Sequence, residues 1–412
     1  MEIKKGYKMT DVGVIPEDWE VKSIGEIAKT TSGGTPSRED DSLYIGKNRW
    51  FTTSELNDGY IYDSIEHISD EAIKITTARI VPANSILMAM YGATIGKLAI
   101  ITKESSTNQA CCAIMVNSDI VMKYVFYNLL FLRQNIIELG VGAGQPNISQ
   151  SIVRSIHISI PSKKEQQAIA DALTKVDNLI TSLTKVIEKK KLIKKGTMQK
   201  LLSGEMRLDG FDGEWKQIEL CKESSFERGW GLSKEKISDN GSYNCILYGE
   251  IFTKYNYVAK TGFSKTNIKE GTPSLYGDIV LPGSTTTCGI DLVKAVAILK
   301  NNILLGGDVN IIRFDLKQYD PIFMAYYFSE INKDRIEELT KGITIIHLHI
   351  SDLKNVIIDI PPTKAEQTAI AKVLTTMDDE IEKLEKERDK YKCIKQGMMQ
   401  QLLTGKIRLI CQ

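Results

Sequence analysis

The chain has 412 residues, of which 42% are hydrophobic and 25% are charged. This length predicts two or more domains that each bury a core, and the composition is that of an ordinary soluble globular protein. The net charge of +1 excludes any argument for nucleic-acid binding from bulk charge, so such a function must rest on local patches or on partners.

The cysteines and the apolar stretches exclude further classes. Seven Cys without a C-x-x-C pair offer neither a zinc site nor a disulfide framework, and they fit a reducing cytosol. The N-terminus is polar, and the most apolar long stretch, Ser85–Ile101, is interrupted by Gly92, Gly96 and Lys97. We therefore expect a cytoplasmic protein with no signal peptide and no membrane span.

The first 160 residues predict a mixed α/β domain. Two apolar runs, Ser85–Met90 and Leu98–Ile101, flank a small polar tip, and Ala110–Val116 is a third strand candidate. An aromatic helix containing Phe126-Tyr127 follows, and the domain ends on a β-rich run that finishes at Ile160-Pro161.

A long helix is predicted for the spacer at 161–208. Ser162-x-x-Glu165 is a capping box after a proline, and the apolar residues that follow are spaced by alternating steps of four and three. This rhythm is typical of a coiled-coil seam. The predicted helix-pairing residues are Ile169, Leu173, Val176, Ile180 and Leu183.

The same order of elements returns at 209–361 and 362–412. Strand candidates at Asp278–Leu281, Leu292–Leu299 and Val309–Phe314 precede an aromatic helix with Tyr326-Tyr327, and Thr363-x-x-Glu366 is the second capping box. The pairing residues predicted for this second helix are Ile370, Leu374, Met377, Ile381 and Leu384.

The two helices are copies at an offset of 201 residues. Glu165-Gln166 corresponds to Glu366-Gln367, and Asp177 corresponds to Asp378. This period indicates a duplicated domain-plus-helix unit. Only Gly204–Glu214 separates the first helix from the second domain, and a parallel pair would require that domain to span a helix length of about 60 Å. The predicted fold is therefore α+β: two similar mixed α/β domains and two long helices packed as an antiparallel coiled coil with pseudo-two-fold symmetry.

Motifs for catalysis are absent from the sequence. Gly92–Lys97 is one residue short of a phosphate-binding loop and lacks its hydroxyl residue. His347 and His349 offer two ligands on one strand face, but no Cys or acidic residue lies at ligand spacing, which favours a structural or DNA-facing role. We predict no catalytic residue and no metal site.

Predicted loops in both halves interleave basic, hydroxyl and aromatic residues. Such side chains reach phosphates and base edges. For any single residue a solvated surface is the simpler interpretation, but the recurrence of such loops at matching places favours binding. The candidate DNA-binding residues of the first half are Thr35, Arg38, Lys47, Arg49, Thr52, Thr53, Tyr91, Thr94, Lys97, Gln145 and Asn147. Those of the second half are Arg228, Lys254, Tyr255, Lys260, Lys265, Ser284, Thr285, Thr286, Thr287, His347 and His349.

A family resemblance covers essentially the whole chain. It is carried by the opening Lys8–Val21, by the motif Ile-Pro-x-x-x-Glu-Gln-x-x-Ile-Ala-x-x-Leu that begins at Ile160, and by the similar helix ends Met198–Gly204 and Met399–Gly405. In this order of elements the chain resembles the specificity subunit of Type I restriction–modification systems. The resemblance is specific at the helices and vague inside the domains.

The resemblance implies a non-catalytic subunit in which each domain is a target recognition domain for one half of a split double-stranded DNA target. It implies that the helices hold two modification (methyltransferase) subunits, to which restriction subunits add. S-adenosylmethionine, ATP and magnesium would bind those partners and not this chain. The alternative is a coiled-coil scaffold that does not bind DNA, but a spacer needs no loop-rich domains of about 150 residues. A stand-alone nuclease is opposed by the missing carboxylate–metal site.

Overall fold

The computed structural model describes residues 3–140, 147–331, 333–342 and 344–409. The chain divides into two compact units, Met1–Thr184 with Lys386–Gln412, and Lys185–Glu385. Each unit contains one α/β domain and segments of both long helices. None of the helices in the described ranges has the length and hydropathy needed to cross a bilayer.

A five-stranded sheet forms the centre of the first unit. Its three interior strands have continuous apolar sequences and are largely buried on both faces. All neighbours are antiparallel except the last pair, which is parallel. The order of strands across the sheet is Ala28–Ser32, Cys111–Val116, Ile86–Ala89, Leu98–Ile101 and Tyr60–Ile61.

Smaller sheets and short helices surround this centre. The remaining strands are the hairpin Tyr7–Thr10 with Gly13–Pro16, the pair Glu20–Ser23 with His157–Ile160, and the sheet of Ser106–Thr107, Asn48–Phe51 and Glu66–Ile68. The α-helices are Ile24–Ile27, Asp70–Ile75, Met122–Phe131, Arg133–Glu138 and Gln150–Ser155, and the 3-10 helices are Asp41–Tyr44, Thr53–Glu55 and Gly92–Thr94.

The second unit repeats this plan. Its central sheet has the same strand order and the same single parallel pair at one edge. The strands across it are Ser224–Arg228, Val309–Phe314, Ile279–Pro282, Val296–Ile298 and Val258–Ala259. The other strands are Lys216–Glu219 with Ile357–Ile360, Ser284–Thr285 with Ile346–His347, and the sheet of Ser264–Thr266, Tyr243–Ile246, Leu304–Leu305 and Thr272–Pro273. The helices are Leu220–Glu223, Tyr248–Lys254, Pro321–Glu330, Lys333–Glu337 and Ile350–Leu353, with 3-10 helices at Lys234–Lys236 and Gly289–Val293.

One strand prediction in this unit was wrong in part. Leu292–Leu299 was expected to be a single strand, but Gly289–Val293 forms a 3-10 helix and only Val296–Ile298 pairs in the sheet. Leu292 and Val293 still bury their side chains in the core, from a helical turn. An apolar run alone does not distinguish these two ways of reaching the core.

The two long helices span 40 residues, Lys163–Leu202, and 39 residues, Lys364–Leu402. In the first unit, Ile169 and Leu173 near the start of one helix share a core with Leu402 at the end of the other. The second unit repeats this packing with Ile370, Leu374, Leu201 and Leu202. The helix segments within each unit are therefore antiparallel, as predicted.

The predicted seam is most deeply buried near the start of each long helix, where the domain cores cover it. Ile169, Leu173, Ile370, Leu374 and Ile381 are buried, whereas the remaining predicted pairing residues are half-buried. Those half-buried residues are Val176, Ile180, Leu183, Met377 and Leu384. At Ile169, Leu173, Ile370 and Leu374 the domain core supplies a third layer that completes the burial.

Candidate nucleic-acid interface

A buried carboxylate joins the domain and both helices in the first unit. Glu165 is 3% exposed and accepts hydrogen bonds from Nε and Nη2 of Arg408, each at 2.8 Å. It also accepts from the indole Nε1 of Trp19 at 3.3 Å and from the backbone N of Leu409 at 3.2 Å. The predicted capping box was therefore incomplete: Ser162 Oγ accepts from the backbone N of Glu165 at 3.3 Å, but the carboxylate serves residues distant in sequence.

The second unit contains the equivalent pair. Glu366, which is 1% exposed, accepts from Nε of Arg207 at 2.6 Å and from its Nη2 at 2.9 Å. Both partners follow the offset of 201 residues, yet in each unit the glutamate lies near the start of one long helix and the arginine follows the end of the other, in the other repeat. Each pair therefore fastens the start of one helix to the segment that follows the other.

The neighbouring glutamines fasten the helix starts to the aromatic helices. The side-chain Nε2 of Gln166 donates to the carbonyl of Pro161 at 2.9 Å, and its Oε1 accepts from the backbone N of Val121 at 2.9 Å. Gln367 does the same with Pro361 at 3.2 Å and with Asp320 at 2.9 Å. The repeated Glu-Gln dipeptide is thus explained by one set of buried contacts made twice.

A tyrosine, an aspartate and a lysine form a third repeated contact. The hydroxyl of Tyr127 donates to Asp177 at 2.7 Å, and the ammonium of Lys395 lies 2.6 Å from the same carboxylate. Tyr326, Asp378 and Lys194 repeat this triad in the second unit. Burial, reinforced by the carboxylate, raises the pKa of both tyrosines, so they remain neutral hydrogen-bond donors.

Several residues predicted to bind DNA in the first unit are engaged within the protein. Arg38 forms two hydrogen bonds with Glu66, at 2.5 and 2.8 Å, and its guanidinium lies 4.1 Å from the ring centre of Tyr44. Arg49 lies 3.0 Å from a carboxylate oxygen of Asp63. Thr52 caps the short helix that contains Thr53, whereas Lys47 is exposed beside Asp70. The DNA contact of each of these residues stays a prediction.

Other predicted residues of the first unit meet at the turn that joins two interior strands of the central sheet, Ile86–Ala89 and Leu98–Ile101. Tyr91 forms an isolated antiparallel bridge with Asn147, and both are exposed. The backbone N of Lys97 donates to the carbonyl of Thr94 at 2.9 Å, which closes the turn between two sheet strands. We call this region the first tip, and it consists of Tyr91, Thr94, Lys97 and Asn147. Gln145 lies outside the described residues.

The second unit has an equivalent region after its interior strand Ile279–Pro282. We call this region the second tip, and it is formed by Arg228, Ser284–Thr287, His347 and His349. Ser284 pairs with His347 across two short strands, and the two imidazole rings stack with their centres 5.8 Å apart. Asp308 binds Arg228 and accepts a hydrogen bond from Ser284 Oγ at 3.1 Å.

The hydroxyl residues of the second tip differ in their exposure to solvent. The side chains of Ser284 and Thr285 are buried, while Thr286 and Thr287 are exposed. Ser284 and Thr285 lie in a strand that pairs with Ile346–His347, so Thr285 does not share an exposed hairpin tip with Thr286 and Thr287. The DNA contact of each of these residues stays a prediction.

The remaining predicted residues lie elsewhere in the second unit. Lys254 ends a helix and Lys265 lies in the edge strand of the four-stranded sheet, while Lys260 is exposed between them. The hydroxyl of Tyr255 donates to the carbonyl of Thr261 at 3.1 Å. Of these four residues only Lys265 lies in a strand of the four-stranded sheet, and none belongs to the second tip.

The polar residues that hold each unit together were not predicted from the sequence. Arg207, Arg408, Lys194 and Lys395 are matched residues at the offset of 201, but no internal partner was predicted for them, and Lys194 was expected on a solvated face. Retention of a charged residue in both copies was the available signal. In the described ranges, His, Cys, Asp and Glu form no group of three or more that is arranged to hold a metal ion.

A family of known proteins shares this arrangement. The model of the Type I restriction modification DNA specificity domain matches residues 16–195 and again 216–390. The chain therefore belongs to this family, the specificity subunits of Type I restriction–modification systems, and it carries two specificity domains. The resemblance inferred from the sequence is confirmed, and nothing supports the alternative of a coiled-coil scaffold that does not bind DNA.

Individual relatives match over nearly their whole length. The Type I restriction enzyme MjaVIII specificity subunit of Methanocaldococcus jannaschii is 27% identical, covering 96% of this chain and 94% of the relative. The putative MjaX specificity subunit of the same organism is 28% identical, covering 98% and 97%. A crystal structure of the S subunit from M. genitalium has a TM-score of 0.62 at 16% identity and covers 98% of both chains, a likeness of fold.

Proposed function

We propose that each of the two domains reads one half of a split double-stranded DNA target. The observation that carries this proposal is the repetition of one backbone scaffold with different side chains at its edge. The same sheet order and a similar short bridge occur in both units, but Tyr91 faces Asn147 in one and Ser284 faces His347 in the other. Two scaffolds that differ at the bridge suit two different base sequences.

The tips carry side chains with the chemistry of base recognition. Asn147 offers an amide that can bond adenine through two atoms, and Thr94 and Thr286 offer hydroxyls together with methyl groups. The imidazoles of His347 and His349 supply further donors and acceptors. Because the net charge of this chain is only +1, partner subunits would supply much of the phosphate contact.

The partners in this proposal are two modification subunits and the restriction subunits that join them. An apolar face on the polar long helices supports docking of this kind. On the first helix, Val186 and Ile193 lie seven residues apart on one face and are exposed, and Leu192 next to Ile193 is 71% exposed. Exposed apolar side chains in such a group favour burial against another protein. S-adenosylmethionine, ATP and magnesium would act on those partners, and this chain would itself be non-catalytic.

Matched substitutions at the two tips test the proposal in the assembled complex. Thr94→Ala and Thr286→Ala remove one threonine hydroxyl from the first tip and one from the second. The readout is sequencing of the methylated adenines that each complex produces. Each variant should relax recognition in one half-site only, and the two variants should affect opposite halves, at about 1–3 kcal/mol for each lost base contact.

Relaxation of the same half-site by both variants, or of both half-sites by one folded variant, would show that the domains do not read independently. The control for the non-catalytic role is the purified chain with DNA, S-adenosylmethionine, ATP and magnesium. Methyl transfer or cleavage by this preparation, shown to be free of partner subunits, would contradict that role.

A further inference from the structure

One tryptophan of the chain lies on the surface of a recognition domain. Trp19 and Trp50 are buried, and Trp215 is half-buried against Gly204, whereas Trp230 is 61% exposed. An indole is the largest apolar side chain, and exposing it to water forgoes the stabilisation that burial would give. Such a residue on a binding domain indicates a contact surface.

The loop that carries this indole is fixed by its backbone. The backbone N of Gly229 donates to the carbonyl of Val309 at 2.8 Å, and a Cβ at Gly229 would lie 2.1 Å from the carbonyl oxygen of Gly306. Gly231 has a φ of +75°, and Leu232 after it is buried. The backbone is therefore held on both sides of Trp230, and the indole projects from a defined position.

Contacts connect this loop to the second tip. Arg228, two residues before the indole, binds Asp308, which in turn accepts a hydrogen bond from Ser284. Ser284 pairs with His347 in the adjoining strand. Trp230 thus lies beside the residues that the proposed function assigns to reading the second half-site.

The equivalent loop of the first unit carries different chemistry. Gly33 and Gly229 each follow the edge strand of the central sheet, and a Cβ at either would collide with a backbone carbonyl of the adjoining segment. After Gly33 the first unit presents Thr35, whose hydroxyl bonds to Gln109. The first loop therefore offers hydroxyl and amide groups where the second offers an indole.

We propose that Trp230 is a specificity-determining DNA contact of the second domain, with its ring packed against a base step of the half-site. This inference rests on the proposed function of that domain. Apolar side chains that enter a groove wedge between base pairs, and pyrimidine–purine steps yield to them at the lowest free energy. Trp230 would therefore select a deformable step, and Arg228 would contact the adjoining phosphate.

Binding of the complete complex to a duplex containing its own target provides the first test. That target is taken from the methylated adenines of the host genome. Trp230→Ala should weaken binding of the target about 10- to 100-fold, as expected for loss of one aromatic–base contact, while binding to an unrelated duplex changes little. Trp230→Phe should retain most of the affinity, and Tyr276→Ala, a change of another exposed aromatic, should retain all of it.

Quenching of tryptophan fluorescence by acrylamide provides the second test. The difference between the wild-type and Trp230→Phe complexes isolates the signal of Trp230. This signal should be strongly quenched without DNA and protected by the target duplex. Unchanged target affinity of Trp230→Ala, or an indole that stays unprotected in the bound complex, would overturn this inference alone. Failure of the wild-type complex to distinguish its target from the unrelated duplex would instead refute the proposed function.

Discussion

Replacing Glu165 by Gln tests whether the buried carboxylate holds the first unit together. The change keeps the shape of the side chain but removes its charge and one of its two acceptor oxygens. Glu366→Gln is the matched change in the second unit. Glu380→Gln is the control, because Glu380 forms an exposed ion pair with Lys190 on the long helices.

The magnitudes follow from the number of buried donors that each carboxylate serves. Glu165 accepts four hydrogen bonds, from Arg408, Trp19 and Leu409, and an amide oxygen can retain only part of them. Each buried donor left without a partner costs about 1–3 kcal/mol, although Arg408 keeps Asp18 as a second carboxylate. We expect Glu165→Gln to lower the free energy of unfolding by roughly 3 kcal/mol.

The other two variants should cost less. Glu366 accepts only the two hydrogen bonds from Arg207 among the described contacts, so we expect a loss of roughly 2 kcal/mol. An exposed pair such as that of Glu380 contributes at most about 1 kcal/mol.

Urea denaturation of the full chain, followed by far-UV ellipticity and by tryptophan fluorescence, measures these differences. Trp19 touches Glu165 directly, so its fluorescence reports the first unit. A midpoint for Glu165→Gln that shifts no further than that of Glu380→Gln would refute the role assigned to the buried carboxylate.

Two further changes have expected outcomes. Gly405→Ala should destabilise the protein more than Gly204→Ala in the same urea assay: both glycines have positive φ, but the new Cβ would lie 2.4 Å from the ring of Pro16 in the first case and 3.2 Å from the ring of Trp215 in the second. Equal midpoints would contradict this. Burial lowers the pKa of Lys294 from 10.5 to about 8, so the unfolded chain binds more protons between these values and stability should rise by roughly 1–2 kcal/mol from pH 8 to 9.5. Thermal unfolding should show this rise in the wild type, and Lys294→Met should lack it; a rise of equal size in the variant would refute the assignment.

The elements could be predicted from the sequence where local pattern decides them. Ile86–Ala89 and Leu98–Ile101 are apolar runs, and the apolar residues of the long helices are spaced by alternating steps of four and three. The prediction of a single strand over Leu292–Leu299 was wrong in part, because an apolar run can bury its side chains equally well from a helical turn. For the candidate site, Arg38 shows what local sequence cannot predict. Glu66 accepts hydrogen bonds from its guanidinium across 28 residues of sequence, and no local pattern indicates this contact.

The repeated polar residues show why sequence identified the parts of the junction but not their partners. Within one repeat, Glu165 and Arg207 are 42 residues apart in the sequence, at opposite ends of one helix of 40 residues, and therefore cannot meet. A helix of this length spans about 60 Å, so each glutamate can contact only the arginine that follows the other copy of the helix. Each repeat therefore contains both a glutamate and an arginine, but each ion pair joins the glutamate of one repeat to the arginine of the other. The antiparallel direction of the helix segments follows from the same requirement, because only that direction brings the start of one helix to the end of the other in both units.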